Sequence, residues 1–184
     1  MIQKMQDAVV EFARNHVGFR EEPGNMGFKN PAFDTKMRQV GFENTWAWCA
    51  LFAELCWSYP TYDNKWKVVQ SISDNFSANA VRTYENFEKD DTGLFRVFND
   101  EIPSPGDIVI WDKRKRGVPV KNGIWTIGHA GIVEAAEYTS FTSIEGNSNS
   151  AGGREGIEVS RKERDYNYSK QDGLGVKGFI TCTI

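Results

Sequence analysis

The chain has 184 residues, of which 40% are hydrophobic and 26% charged, and it carries a formal net charge of −3. That balance fits one folded domain with its own core over residues 1–184 and excludes a disordered chain. It argues against a protein held on nucleic acid by overall charge, and no apolar run is long enough to cross a membrane.

Three cysteines, Cys49, Cys56 and Cys182, are an odd number without Cys-x-x-Cys spacing, which is a poor disulfide framework and a poor metal site. Only two histidines occur, His16 and His129, so imidazole chemistry must use one of them. The first residues lack the apolar stretch and small-residue cleavage site of a secretory signal, so the expectation is a protein made in the cytoplasm without that export route.

The first element is helical: Ile2, Met5, Val9, Phe12 and Ala13 recur at three- and four-residue steps on one face. Gly18 and Pro23-Gly24-Asn25 end it in a loop, and a short helix is predicted over residues 31–40 with Pro31 in its first turn. Residues 46–57 are apolar nearly all round, broken by Glu54, as in a helix buried on most sides. A further helix is predicted over residues 74–87, capped by Ser73 or Asp74. After the Pro103-Ser104-Pro105-Gly106 turn come strands over residues 107–111, 128–135, 142–146, 157–160 and 178–184. Helices followed by strands predict an α+β fold, with N-terminal helices packed on a C-terminal antiparallel sheet.

Cys49 opens the buried helix. A helix N-terminus offers partial positive charge and unpaired N–H groups, which favour a thiolate and can hold an oxyanion. A cysteine there is otherwise a small core residue, which is the reading taken for Cys56 and Cys182. His129 starts an apolar strand between small neighbours, Gly128 and Ala130, that leave its ring accessible. His16 reads as a helix-packing or exposed residue. Glu145 and Asn147 are two apart on a strand, which places both on one face, and either could orient a histidine ring. Asn149 reads as turn composition.

The order of these pieces resembles the CHAP family, a branch of the papain-like cysteine hydrolases. The matching pieces are Trp48-Cys49-Ala50 with Phe52, Pro105-Gly106-Asp107-Ile108-Val109, Gly128-His129-Ala130-Gly131-Ile132-Val133 and Glu145-Gly146-Asn147. The stretch Gly18-Phe19-Arg20-Glu21-Glu22-Pro23-Gly24-Asn25 is similar to the lead-in of phage-associated members. The resemblance implies Cys49 as nucleophile, His129 as general base and then acid, Glu145 as the residue orienting His129, and Asn147 as support for the ring or the oxyanion. It implies hydrolysis of an amide in the peptide part of bacterial peptidoglycan, by an amidase or an endopeptidase, in a phage endolysin or an injected antibacterial effector that acts at the cell wall. An effector would be countered by an immunity protein. Some members bind calcium ahead of the cysteine through several acidic residues; only Asp34 and Glu43 stand there, so neither a metal nor another cofactor is expected. A monomer is expected, with no nucleic acid partner and no membrane insertion.

Trp48 and Trp125 fall close to the catalytic pieces and are expected to contact substrate. The basic run Lys113 to Arg116, with Lys121, joins the first two predicted strands and could gather substrate carboxylates. Two alternatives remain: a cysteine amidase for a small amide or protein isopeptide, and an inactive phage structural or binding protein of the same fold.

Overall fold

The computed structural model describes residues 2–61, 66–114, 127–149, 156–168 and 173–183. Helix α1 spans Ile2–Arg14 and turns Val9, Val10 and Ala13 inward. Helix α2, Pro31–Gln39, starts where the Asn30 side chain accepts the Phe33 N–H at 3.0 Å, and it buries Phe33 and Met37. Helix α3, Cys49–Ser58, is buried at every residue, as its apolar circumference requires, and runs into a 3₁₀ turn, Tyr59–Thr61.

The single helix expected over 74–87 is two helices: α4, Trp66–Asn75, and α5, Ala80–Lys89. Local side chains break the run. Asn75 Nδ2 donates to the carbonyl of Ser71 and to Asp90, and Thr83 Oγ1 accepts the Ser77 N–H at 3.1 Å. Asn79, in place of Ser73 or Asp74, then caps α5 by accepting the Arg82 N–H.

Among the described residues, six strands form one antiparallel sheet in the order β1-β6-β2-β3-β4-β5. They are β1 Phe95–Phe98, β2 Ile108–Arg114, β3 Gly128–Ala136, β4 Ser140–Ser148, β5 Glu158–Asp165 and β6 Gly173–Cys182. The sequence pattern leaves out β1, which is only four residues long, and foreshortens β5 and β6. The outer half of β5 is charged at every position from Arg161 to Asp165, a composition that suits an edge strand and hides it from a hydrophobicity pattern.

Side chains alternate across the sheet. Ile108, Ile110, Ile132 and Ile144 face the helices with Phe33, Trp48 and Phe52, while Val109, Trp111, Val133, Phe141 and Phe179 form a second cluster. Helix α3 packs on β3 and β4. The segment after α1 lies along the free edge of β5: Gly18 donates to the Val159 carbonyl, Val159 to Phe19, and Glu21 to Ile157, each at 2.9 Å. Ion pairs fasten this seam. Arg20 meets Glu158 at 3.0 Å, and the buried Glu134 holds both Arg14 and Arg161. His16 is buried just past α1, where Nδ1–H donates to the Phe12 carbonyl at 2.7 Å; burial lowers its pKa, as suits a neutral packing residue.

Candidate active site

The site forms where the first turn of α3 meets the start of β3 and the end of β4. Trp48 precedes the helix and fixes that turn. Its indole Nε1–H donates to Glu21 at 2.6 Å, and its ring meets Phe28 and Phe52 edge-on. Cys49 follows as the first helical residue. Its sulfur is hydrogen-bonded to His129 and to the backbone N–H groups of Ala50 and Ala130. The Ala50 contact is the helix N-terminus acting on sulfur.

His129 lies directly across from Trp111 on β2, with ring centroids 5.6 Å apart. Its Nε2 donates to Glu145 Oε2 at 2.9 Å, which leaves Nδ1 for the sulfur. Glu145 is fully buried and fully engaged. Besides His129 it accepts from Ser143 Oγ at 2.6 Å and Ser148 Oγ at 3.4 Å, and Arg164 clasps both its oxygens at 2.8 and 2.6 Å. The Arg164 guanidinium also lies 5.3 Å from the centre of the Trp111 ring.

Two glycines make this approach possible. A Cβ on Gly131 would sit 2.8 Å from Glu145 Cγ, and one on Gly146 would sit 2.6 Å from Phe52 Cβ and 2.7 Å from the Trp48 ring. The first glycine lets the carboxylate cross β3 to reach His129; the second lets β4 lie against α3.

Burial opposes charge on all three groups, and their mutual attraction overrides it. The Cys49 thiol is pulled below its ordinary value by the His129 imidazolium, then by the three hydrogen bonds to sulfur. His129 is raised, against its burial, by the Cys49 thiolate and Glu145. Glu145 falls, against its burial, to about 2 through His129 and Arg164. Thiolate, imidazolium, carboxylate and guanidinium alternate in sign, so the buried charges compensate one another. By contrast, burial alone pushes the Cys56 thiol far up.

Cys49 and His129 open onto a cleft of about 570 Å³ whose walls include Asn25, Ala47, Lys113 and Asn147. The family model of the CHAP domain matches residues 40–147, more than half of the chain. The chain belongs to the CHAP family. No curated protein matches the sequence. CHAP domains are typically hydrolases, and membership implies activity of the peptidoglycan-hydrolase or amidase type.

The CHAP match takes in Cys49, His129 and Glu145, which the fold brings together, and ends at Asn147, short of Arg164. Asn147 does not sit beside Glu145 as a regular strand would place it. The β4–β5 register shifts between Glu145 and Ser148, and Asn147 adopts a left-handed φ of 51°, so it lines the cleft while Ser148 reaches the carboxylate. Trp48 is a correction: at 0% exposure, with its N–H on Glu21, it supports α3 from inside and cannot touch a substrate. Trp125, Lys115, Arg116 and Lys121 lie outside the described residues. Asp34 is held by Arg38 and the Phe28 N–H, and among the described residues no group of three or more His, Cys, Asp or Glu could share a metal ion.

Arg164 is a site residue that the sequence pattern does not reveal. In the run Ser160 to Asp165 it reads as one more surface charge, and only the pairing of β5 with β4 carries it to Glu145.

Proposed function

We propose that this CHAP protein is a cysteine hydrolase that cleaves an amide bond in the peptide part of bacterial peptidoglycan, with Cys49 as nucleophile, His129 as general base and acid, and Glu145 as the group that orients His129. The observation that carries this reading is His129 hydrogen-bonded on one side to Cys49, at a helix N-terminus facing an open cleft, and on the other to a buried carboxylate.

The Cys49 thiolate attacks the scissile carbonyl carbon, and the electron pair moves onto the oxygen. The backbone N–H of Cys49, at the N-terminus of α3, would stabilise that negative charge. As the C–N bond breaks, the His129 imidazolium gives its proton to the leaving amine, and a thioester remains on Cys49. His129, now neutral, takes a proton from water as it attacks the thioester; the carboxylic product leaves and the thiolate–imidazolium pair is restored. Glu145 holds the Nε2–H throughout and so keeps Nδ1 aimed at sulfur. The lead-in over residues 18–25, similar to phage-associated members, supports action at the cell wall as an endolysin; an injected effector would use the same chemistry.

Digestion of purified peptidoglycan by the wild type and by Cys49→Ala, read by mass spectrometry, tests this. Fragments released by the wild type alone are expected, and their new termini separate amidase from endopeptidase. Failure of the wild type on several wall types would move the assignment to a small amide, a protein isopeptide or a binding role.

A further inference from the structure

The cleft differs in charge from the chain that builds it. The chain is acidic overall, yet the described residues of the cleft wall include Lys113, Lys162 and Arg164 and neither Asp nor Glu. Arg164 is committed to Glu145. Among the described residues, Lys113 and Lys162 pair with no carboxylate. Lys113 is exposed near the end of β2, where its backbone N–H donates to Ile127 at 2.8 Å, one residue beyond the Asp112–Gly128 pair. Lys162 is half-buried on β5 opposite Ser143 of β4, and its ammonium donates to the Asn149 carbonyl. An ammonium has three donors, so two remain. Strand order places β3, which carries His129, between β2 on one side and β4 and β5 on the other. The two lysines therefore flank the reacting pair.

We infer that Lys113 and Lys162 form a carboxylate-binding site across the cleft, which selects peptide substrates bearing free carboxylates beside the scissile amide. This rests on the proposed peptide hydrolysis and adds its specificity. The reacting pair adds no net charge, because the Cys49 thiolate offsets the His129 imidazolium, and Arg164 is offset by Glu145, so among the described residues of the cleft wall the two ammonium groups supply the unbalanced charge that an arriving substrate meets. Lysine is well suited here, because a point charge on a flexible stem can follow a carboxylate whose position varies between peptides, whereas a guanidinium fork demands one geometry.

Synthetic muropeptides that are identical except that stem carboxylates are free or amidated provide the test. The wild type is expected to favour the free acid by about tenfold in kcat/KM at low salt, mainly through KM, with the preference shrinking at high salt. In the K113Q/K162Q double variant the preference should collapse towards one, whereas K113R/K162R, which keeps both charges, should retain most of it. Equal cleavage of both peptides by the wild type, or an undiminished preference in K113Q/K162Q, would overturn the lysine site and leave the hydrolase reading standing. Binding to Cys49→Ala, measured by calorimetry, reads the site without turnover. Tighter binding of the free acid there supports it even if the wild type cleaves neither peptide, and equal binding removes it.

Discussion

Replacing Glu145 by glutamine keeps the shape of the side chain and removes the charge on which the site is organised. Glu145 has an ordinary value of 4.5 and a folded value of about 2, so the native state favours the carboxylate. The stabilisation is complete above the unfolded value and is lost as pH falls through about 2. At about 1.4 kcal/mol per pH unit, that difference amounts to about 3 kcal/mol at neutral pH. The variant also leaves Arg164, whose side chain is 29% exposed, clasping an amide, and it deprives the His129 imidazolium of its carboxylate. Glu145→Gln should therefore melt roughly 5–10 °C below the wild type at pH 7, with the gap narrowing to about half as the pH falls to 3. Its alkaline activity limb should move to lower pH, because the imidazolium now loses its proton more readily, and kcat should fall by about 10- to 100-fold. Thermal unfolding from pH 3 to 7 and a pH–rate profile measure both effects. A melting gap independent of pH, together with an unmoved alkaline limb, would show that Glu145 neither holds charge in the native state nor acts on His129.

Three further outcomes are expected. A limiting thiol reagent at pH 6 should label Cys49 before Cys56 and Cys182, and His129→Ala should slow that labelling; first modification of Cys182 would contradict a lowered Cys49 thiol. Gly146→Ala should destabilise the protein by about 1–3 kcal/mol in denaturant unfolding, because its Cβ must displace Phe52 and Trp48; an unchanged midpoint would mean that α3 and β4 separate without cost. Burial raises Glu54 from 4.5 to about 8, so between those values the native state holds a proton that the unfolded chain has lost, and stability falls as pH rises, by up to about 5 kcal/mol. Glu54→Gln should be the more stable protein at pH 8 and should lose that advantage towards pH 5; denaturant midpoints at both values check the sign.

What the sequence reveals follows from how each feature is encoded. The apolar circumference of α3, the cysteine at its head, and the strands carrying His129 and Glu145 are local patterns, and the structure places all three side chains together. Arg164 is invisible in the sequence because its role depends on register: Phe141 pairs with Arg164 only once β4 and β5 have met. Asn147 is displaced by a bulge, which breaks the two-residue period without a strong mark in composition. Trp48 cannot be sorted into core or cleft from its position alone, since that depends on Glu21, brought alongside by the segment that covers β5. The break between α4 and α5 rests on side-chain hydrogen bonds to the backbone, which compete with a helical pattern that otherwise continues.

In the proposed hydrolysis, substrate is carried on Cys49 as a thioester. The most direct measurement is rapid acid quenching of the wild type during turnover of a defined muropeptide, followed by mass spectrometry of the digested protein. An acyl adduct is predicted on the peptide containing Cys49, appearing within the first turnover and absent from Cys49→Ala. Full hydrolytic activity in Cys49→Ala, with no adduct at Cys49 in the wild type, would contradict it.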